Sequence, residues 1–203
     1  MLKSTAKLTH LQRFRLGFCL TGMLLTNSAC WAKFERASLG KYKIAALSWM
    51  FREAKVAWHY LLLASVSLVF EQHGITEGEL VLDKSDRAHS KRTKRIHKTH
   101  KQKHKASGGY VNRQTVVLLL LVTQSVTLPV GFTFYMPDPA LTAWTKKDKR
   151  LKKQGMTKKD RPVMPARNNA YPTKTQLAVR LLQAFKNAHG DIKIKAGPPC
   201  LVG

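Results

Sequence analysis

The sequence predicts an α/β protein in which a helical N-terminal segment precedes a mixed sheet with helices packed around it. Apolar and aromatic residues recur at three- and four-residue steps up to about residue 70, which is a helical period. After GITEG (74–78), short runs rich in Val, Thr and aromatic residues predict strands. Two capped helices then lead to a short alternating segment near the C-terminal end.

Residues 10–70 are predicted to be helical, and the helical segment 1–74 is expected to contact DNA. Trp49, Val56 and Tyr60 fall near one helical face, and we interpret the tryptophans Trp49, Trp58 and Trp144 as core residues rather than stacking platforms for bases. The basic start followed by LGFCLTGMLLT (16–26) imitates a secretory signal, but its two Gly and two Thr favour an ordinary helix.

The predicted sheet begins with ELVLD (79–83), a short strand, followed by a basic loop from Lys84 to Lys105. TVVLLLLVT (115–123) and TLPVGFTFYM (127–136) predict a β-hairpin. The first of these is continuously apolar, which is typical of a central strand buried on both faces.

Helix signals follow the hairpin. Asp138 is a suitable N-cap with Pro139 after it, and Thr173 with Gln176 has the pattern of a capping box. DIKIKA (191–196) then alternates as a strand. Because a helix returns to it, we expect it to pair in parallel with an earlier strand.

The charge makes a polyanion the first partner hypothesis. The 203 residues include 36 Lys plus Arg against 11 Asp plus Glu, a formal net charge of +25. Nucleic acid is favoured over an anionic membrane surface, which is the competing polyanion. No stretch reaches the ~18–20 unbroken apolar residues of a membrane span. Three widely separated cysteines without metal-site spacing indicate a reduced, cytoplasmic chain.

Three stretches resemble a known family: ELVLDKSDRAHSKRTKRIHKTHK (79–101), SGGYVNRQTVVLLLLVT (107–123) and LPVGFTFYMPDPALTAW (128–144). They look like the start of the catalytic domain of DDE transposases of the insertion-sequence-four family, and the resemblance covers roughly residues 45–195. It implies a ribonuclease H-like fold and DNA transposition by phosphoryl transfer with two Mg²⁺ ions.

The resemblance also implies site residues. Asp83 matches the first carboxylate of the catalytic triad and would bind metal, with Asp86 a weaker candidate. The surrounding cations would bind the DNA backbone. The candidates are Lys84, Arg87, Lys91, Arg92, Lys94, Arg95, Lys98 and Lys101. Without the resemblance, Asp83 would be an ordinary strand-end residue paired with Lys84, and Asp86 a loop residue paired with Arg87.

The chain departs from the family at its end. The second Asp is expected just after DIKIK, but AGPPCLVG (196–203) contains no carboxylate, and no Glu follows. Because triad members act as a unit, we expect no strand cleavage, only DNA binding and a possible association with intact transposase. The expected organisation is a helical segment (1–74), a partial ribonuclease H-like domain (79–196) and an aberrant tail (197–203).

Another class of protein remains open. A non-enzymatic basic protein that binds nucleic acid, such as a ribosome-associated factor, would have the same charge and would prefer RNA or show no preference. A membrane-surface protein anchored by residues 1–32 is a third possibility.

Overall fold

A computed structural model describes residues 8–54, 56–90, 96–103 and 108–195. The chain divides into two compact units, 1–61 and 62–203. The division falls within the fourth helix, whereas the sequence placed it after residue 74. The tail expected at 197–203 lies outside the described residues.

The first unit contains α1 (His10–Thr26), α2 (Trp31–Ala37), α3 (Ile44–Glu53) and the start of α4 (Trp58–His73). Helix α1 begins at a capping box in which the Thr9 side chain accepts from the Gln12 backbone N–H. Cys19, Phe34 and Leu47 form a small core. The interpretation of Trp49 and Trp58 as core residues is wrong, because their exposed fractions are 54% and 40%.

The second unit is built on a five-stranded mixed sheet: β1 (Glu77–His89), β2 (His100–Lys103), β3 (Tyr110–Val122), β4 (Thr127–Tyr135) and β5 (Lys193–Ile194). Strand β3 pairs antiparallel with β1, β2 and β4, and β5 pairs parallel with β1. The predicted α/β class, the β3–β4 hairpin and the parallel final strand are therefore confirmed.

The predicted basic loop is wrong over much of its length. Strand β1 continues through Lys84 to His89, and His100 to Lys103 form β2. The reason is tertiary, since β3 is 13 residues long and offers a backbone partner to every residue of β1 from Glu79 to His89. Most of the charged side chains there are tolerated because they lie at the surface, and the half-buried Asp86 is paired with Lys84 and Thr115.

Two helices complete this unit, α5 (Pro139–Lys153) and α6 (Lys174–Ala188), each starting where its cap was predicted. The core joins α4, the sheet and α6 through these buried residues: Val66, Phe70, Ile75, Leu119, Leu121, Val130, Phe185 and Ile192. A β-bulge at Leu119/Leu120 interrupts the register between β3 and β4.

In the described part of the chain, no single helix is long and apolar enough to cross a membrane. Helices α3 and α4 meet that criterion only as a pair bent by 96°, and by length and composition alone.

Candidate nucleic-acid interface

Asp83 lies in the middle of β1 rather than at its end. It is opposite Leu118 of β3, and its side chain is exposed. Its Oδ1 accepts a hydrogen bond from the backbone N–H of Lys84 at 2.6 Å. The carboxylate therefore has a local backbone partner and remains open to solvent.

The two faces of the sheet differ in chemistry. Side chains alternate along a strand, so Leu80 of β1 shares a face with Leu119 and Leu121 of β3, which belong to the core. We call this the core face. The other face carries the odd-numbered residues of β1, including Asp83 and Arg87, and we call it the Asp83 face.

Cations of two strands lie on the Asp83 face. The faces of β1 and β2 can be related through β3, because Asn112 of β3 is opposite both His89 of β1 and Lys101 of β2. Lys101 and Lys103 therefore share the Asp83 face with Arg87. All three cations are exposed. The fold thus brings the basic segment after Asp83 onto the same surface as its carboxylate.

Helix α5 adds to this surface at Tyr110. The Lys146 Nζ lies 5.7 Å from the centroid of the Tyr110 ring, and Tyr110 is opposite Lys103. No residue of α5 is buried. Its exposed cations are Lys146, Lys147, Lys149, Arg150, Lys152 and Lys153. The cations of β1 and β2 and those of α5 therefore adjoin at Tyr110, and we call Arg87, Lys101, Lys103, Tyr110 and the exposed cations of α5 the basic surface.

Asp86 has a structural role on the core face, not the predicted pairing with Arg87. It accepts a hydrogen bond from the hydroxyl of Thr115, and its Oδ2 lies 3.7 Å from Lys84 Nζ and 4.0 Å from Arg113 Nη1. Burial lowers the pKa of Lys174 at the start of α6, and Lys84 lowers it further, while Asp86 raises it. Asp86 thus offsets the repulsion among several neighbouring cations.

The predicted DNA-binding residues differ in their exposure and in whether their side chains already have a partner in the protein. Lys84 is half exposed and close to Asp86, whereas Arg87 and Lys101 are free to reach a phosphate. Lys98 donates from Nζ to the carbonyl of Phe134 at 3.0 Å, which fixes its side chain. The remaining four lie outside the described residues: Lys91, Arg92, Lys94 and Arg95. Sequence reasoning missed Tyr110, because only the strand register reveals its place between β2 and α5.

The described residues do not fit the pair of Mg²⁺ ions that the transposase resemblance implies. No group of three His, Cys, Asp or Glu side chains suited to a metal occurs among them. Asp138, the other carboxylate of interest, is buried and caps α5 by accepting from the N–H groups of Ala140 and Leu141 at 2.9 and 3.3 Å.

Comparison of the chain with protein-family models, with curated proteins and with solved structures found no match.

Proposed function

We propose that this chain is a DNA-binding protein related to insertion-sequence transposases and that its described residues do not cleave DNA by themselves. The observation that carries the proposal is the basic surface, in which Arg87, Lys101 and Lys103 lie on one sheet face and meet α5 at Tyr110. Cations on rigid strands and a helix can follow the phosphates of a nucleic-acid backbone.

The strand order supports descent from a ribonuclease H-like domain. Such a domain begins with three antiparallel strands and continues with a strand parallel to the first, on its open side. Here β1, β3 and β4 are antiparallel neighbours, and β5 lies beside β1 in parallel. Asp83 is on the first strand, where the family resemblance expects its first carboxylate.

Electrostatics explain why binding survives without cleavage. Neutralising phosphates releases condensed counterions, so the net charge of +25 favours binding with no metal or catalytic group. Cleavage by two metal ions needs several carboxylates, and Asp83 is the one that the resemblance assigns. Binding and catalysis are therefore separable in this chain.

A salt series on duplex DNA tests the basic surface. The triple variant Arg87→Gln/Lys101→Gln/Lys103→Gln should bind more weakly, and the slope of log K against log salt should become shallower by about 0.9 per lost phosphate contact. Fluorescence anisotropy of a labelled duplex measures both quantities.

The matched control removes the same charge elsewhere, in Arg180→Gln/Lys186→Gln/Lys193→Gln, all exposed residues of α6 and β5. Its slope should stay at the wild-type value. Equal slopes for both triple variants would contradict the assignment of the surface. Preference for RNA in a competition assay would favour the non-enzymatic RNA-associated class instead.

The absence of cleavage has its own test. Purified chain incubated with supercoiled plasmid and Mg²⁺ should leave the plasmid intact. Nicking that disappears in Asp83→Ala would show that the chain is an active enzyme and would overturn this part of the proposal.

A further inference from the structure

The outer edge of β1, on the side away from β3, is only briefly paired. The backbone N–H groups of Lys193 and Lys195 donate to the carbonyls of Thr76 and Gly78, both at 2.9 Å. Successive residues of a strand direct their backbone groups to opposite edges, so even-numbered residues of β1 face outward. In the described ranges, no strand pairs with this edge beyond Gly78.

Within the described ranges, most residues along this edge from Leu82 to Ala88 are open to solvent. Residues 82–85, 87 and 88 are exposed, and Leu82 is 39% exposed. The outward N–H of Lys84 is taken by the carboxylate of Asp83 rather than by a strand. An open strand edge is a template for pairing with another strand.

The charges along this edge are complementary to themselves. The charges of Asp83-Lys84-Ser85-Asp86-Arg87 are negative, positive, neutral, negative and positive, so the same segment read backwards carries the opposite charge at each charged position. In an antiparallel pair of two copies centred on Ser85, Asp83 faces Arg87 of the second copy, and Lys84 faces its Asp86. Each of these two pairings occurs twice by symmetry, and opposite charges directly across a strand pair stabilise it.

Neighbouring registers lack this match. A pair centred on Lys84 places the two copies of Lys84 opposite each other, and a pair centred on Asp86 does the same with two carboxylates. The register centred on Ser85 also fits the backbone. Leu82 lies opposite Ala88 and Lys84 opposite Asp86, and all four direct their N–H and C=O groups outward.

We propose that the outer edge of β1 pairs antiparallel with the same edge of a second copy of this chain, centred on Ser85. The sheet then continues through the two-fold axis, and the open edges of both copies are closed. The sequence after Lys195 is less suited to pair with this edge, because Pro198 and Pro199 lack the backbone N–H groups that donate hydrogen bonds between strands.

Sedimentation equilibrium of the full chain, free of nucleic acid and at moderate salt, tests the pairing. The wild-type chain should reach twice its monomer mass as concentration rises. Asp83→Arg and Arg87→Asp each create like-charge pairs, and each should raise the dimer dissociation constant about tenfold or more. The double variant D83R/R87D restores opposite charges and should restore the dimer.

Two further variants separate pairing from general charge and from folding. Glu71→Arg makes the same charge change as Asp83→Arg at an exposed site on α4 and should leave the dimer unchanged. Ala88→Pro removes an outward N–H and should weaken the dimer while the circular dichroism of the monomer is kept. A wild-type chain that stays monomeric, a double variant as weak as the singles, or disruption by Glu71→Arg would each overturn the proposal.

Discussion

At the scale of single residues, two of the four acidic residues of β1, Asp83 and Asp86, have separate roles because they point to opposite faces of the sheet. Asp83 is exposed on the face that carries Arg87, whereas Asp86 lies on the core face, interacts with Lys174 at the start of α6 and accepts a hydrogen bond from Thr115. Thr115 is only 1% exposed, so its hydroxyl has been removed from water. The pair is therefore a fixed part of the fold.

We predict that Thr115→Val lowers the free energy of unfolding by about 1–3 kcal/mol, because Asp86 loses a charge-assisted hydrogen bond in a partly buried place. Urea denaturation followed by circular dichroism measures the loss. Thr127→Val, at an exposed position of β4, is the control and should change stability little. Equal effects of the two substitutions would contradict the role given to Thr115.

His189 makes stability depend on pH. Its ring packs on Phe70 and Phe185 at centroid distances of 5.0 and 5.3 Å, and burial lowers its pKa below the ordinary value of 6.5 although Asp191 raises it. The unfolded chain therefore binds a proton at this residue more readily than the folded chain does. The contribution of neutral His189 to the free energy of unfolding is fully present above pH 6.5 and is lost as the pH falls through the pKa of the folded state.

The measurement is the urea midpoint at a series of pH values from neutral to acidic. The wild-type midpoint should fall more steeply with decreasing pH than that of His189→Gln, which has no titrating ring. The same dependence in both proteins would show that other groups set the acid sensitivity.

At the scale of elements, close packing decides where β1 can lie. A Cβ on Gly78 would be 2.9 Å from both Leu121 Cδ1 and the backbone oxygen of Val122. Both distances are shorter than a van der Waals contact, and the paired backbone of β3 cannot move away easily. Gly78 is also the last residue of β1 that pairs with β5. The glycine therefore allows three strands to meet at this point.

We predict that Gly78→Ala destabilises the sheet by about 1–3 kcal/mol through this overlap. Thermal unfolding followed by circular dichroism measures the change. Gly17→Ala is the contrasting substitution, since an added Cβ there meets no atom within 4 Å and lies inside helix α1, where it should stabilise the helix slightly. Tolerance of alanine at residue 78 would contradict the packing described for β1 and β3.

At the scale of the whole molecule, charge dominates. The 36 Lys plus Arg repel one another in the folded chain, and the 11 Asp plus Glu offset only part of this repulsion, which leaves a net charge of +25. The same charge would favour the proposed binding of nucleic acid and would oppose the proposed association of two copies. Ionic strength is therefore expected to act on stability and on both proposed interactions.

We predict that moderate salt raises the melting temperature of the free chain, because screening weakens the repulsion among its cations. Differential scanning fluorimetry across a sodium chloride series measures this. A triple variant with reduced charge, Arg180→Gln/Lys186→Gln/Lys193→Gln, should respond less. A melting temperature that falls with salt would show that favourable ion pairs outweigh the repulsion.

The sequence by itself determined the local signals and the net charge. The caps at Asp138 and Thr173 and the β3–β4 hairpin follow from spacing and turn chemistry, which act within a few residues. The parallel direction of the last strand follows from the helix that returns to it. They needed no knowledge of distant contacts.

Only the tertiary structure decided the rest. The charged residues Lys84–His89 form a strand because β3 supplies a partner, and Trp49 and Trp58 are exposed because their unit has a small core elsewhere. Likewise, the register brings Arg87, Lys101 and Lys103 onto one face. Strand pairing and burial depend on residues far apart in the chain, and local propensity does not contain that information.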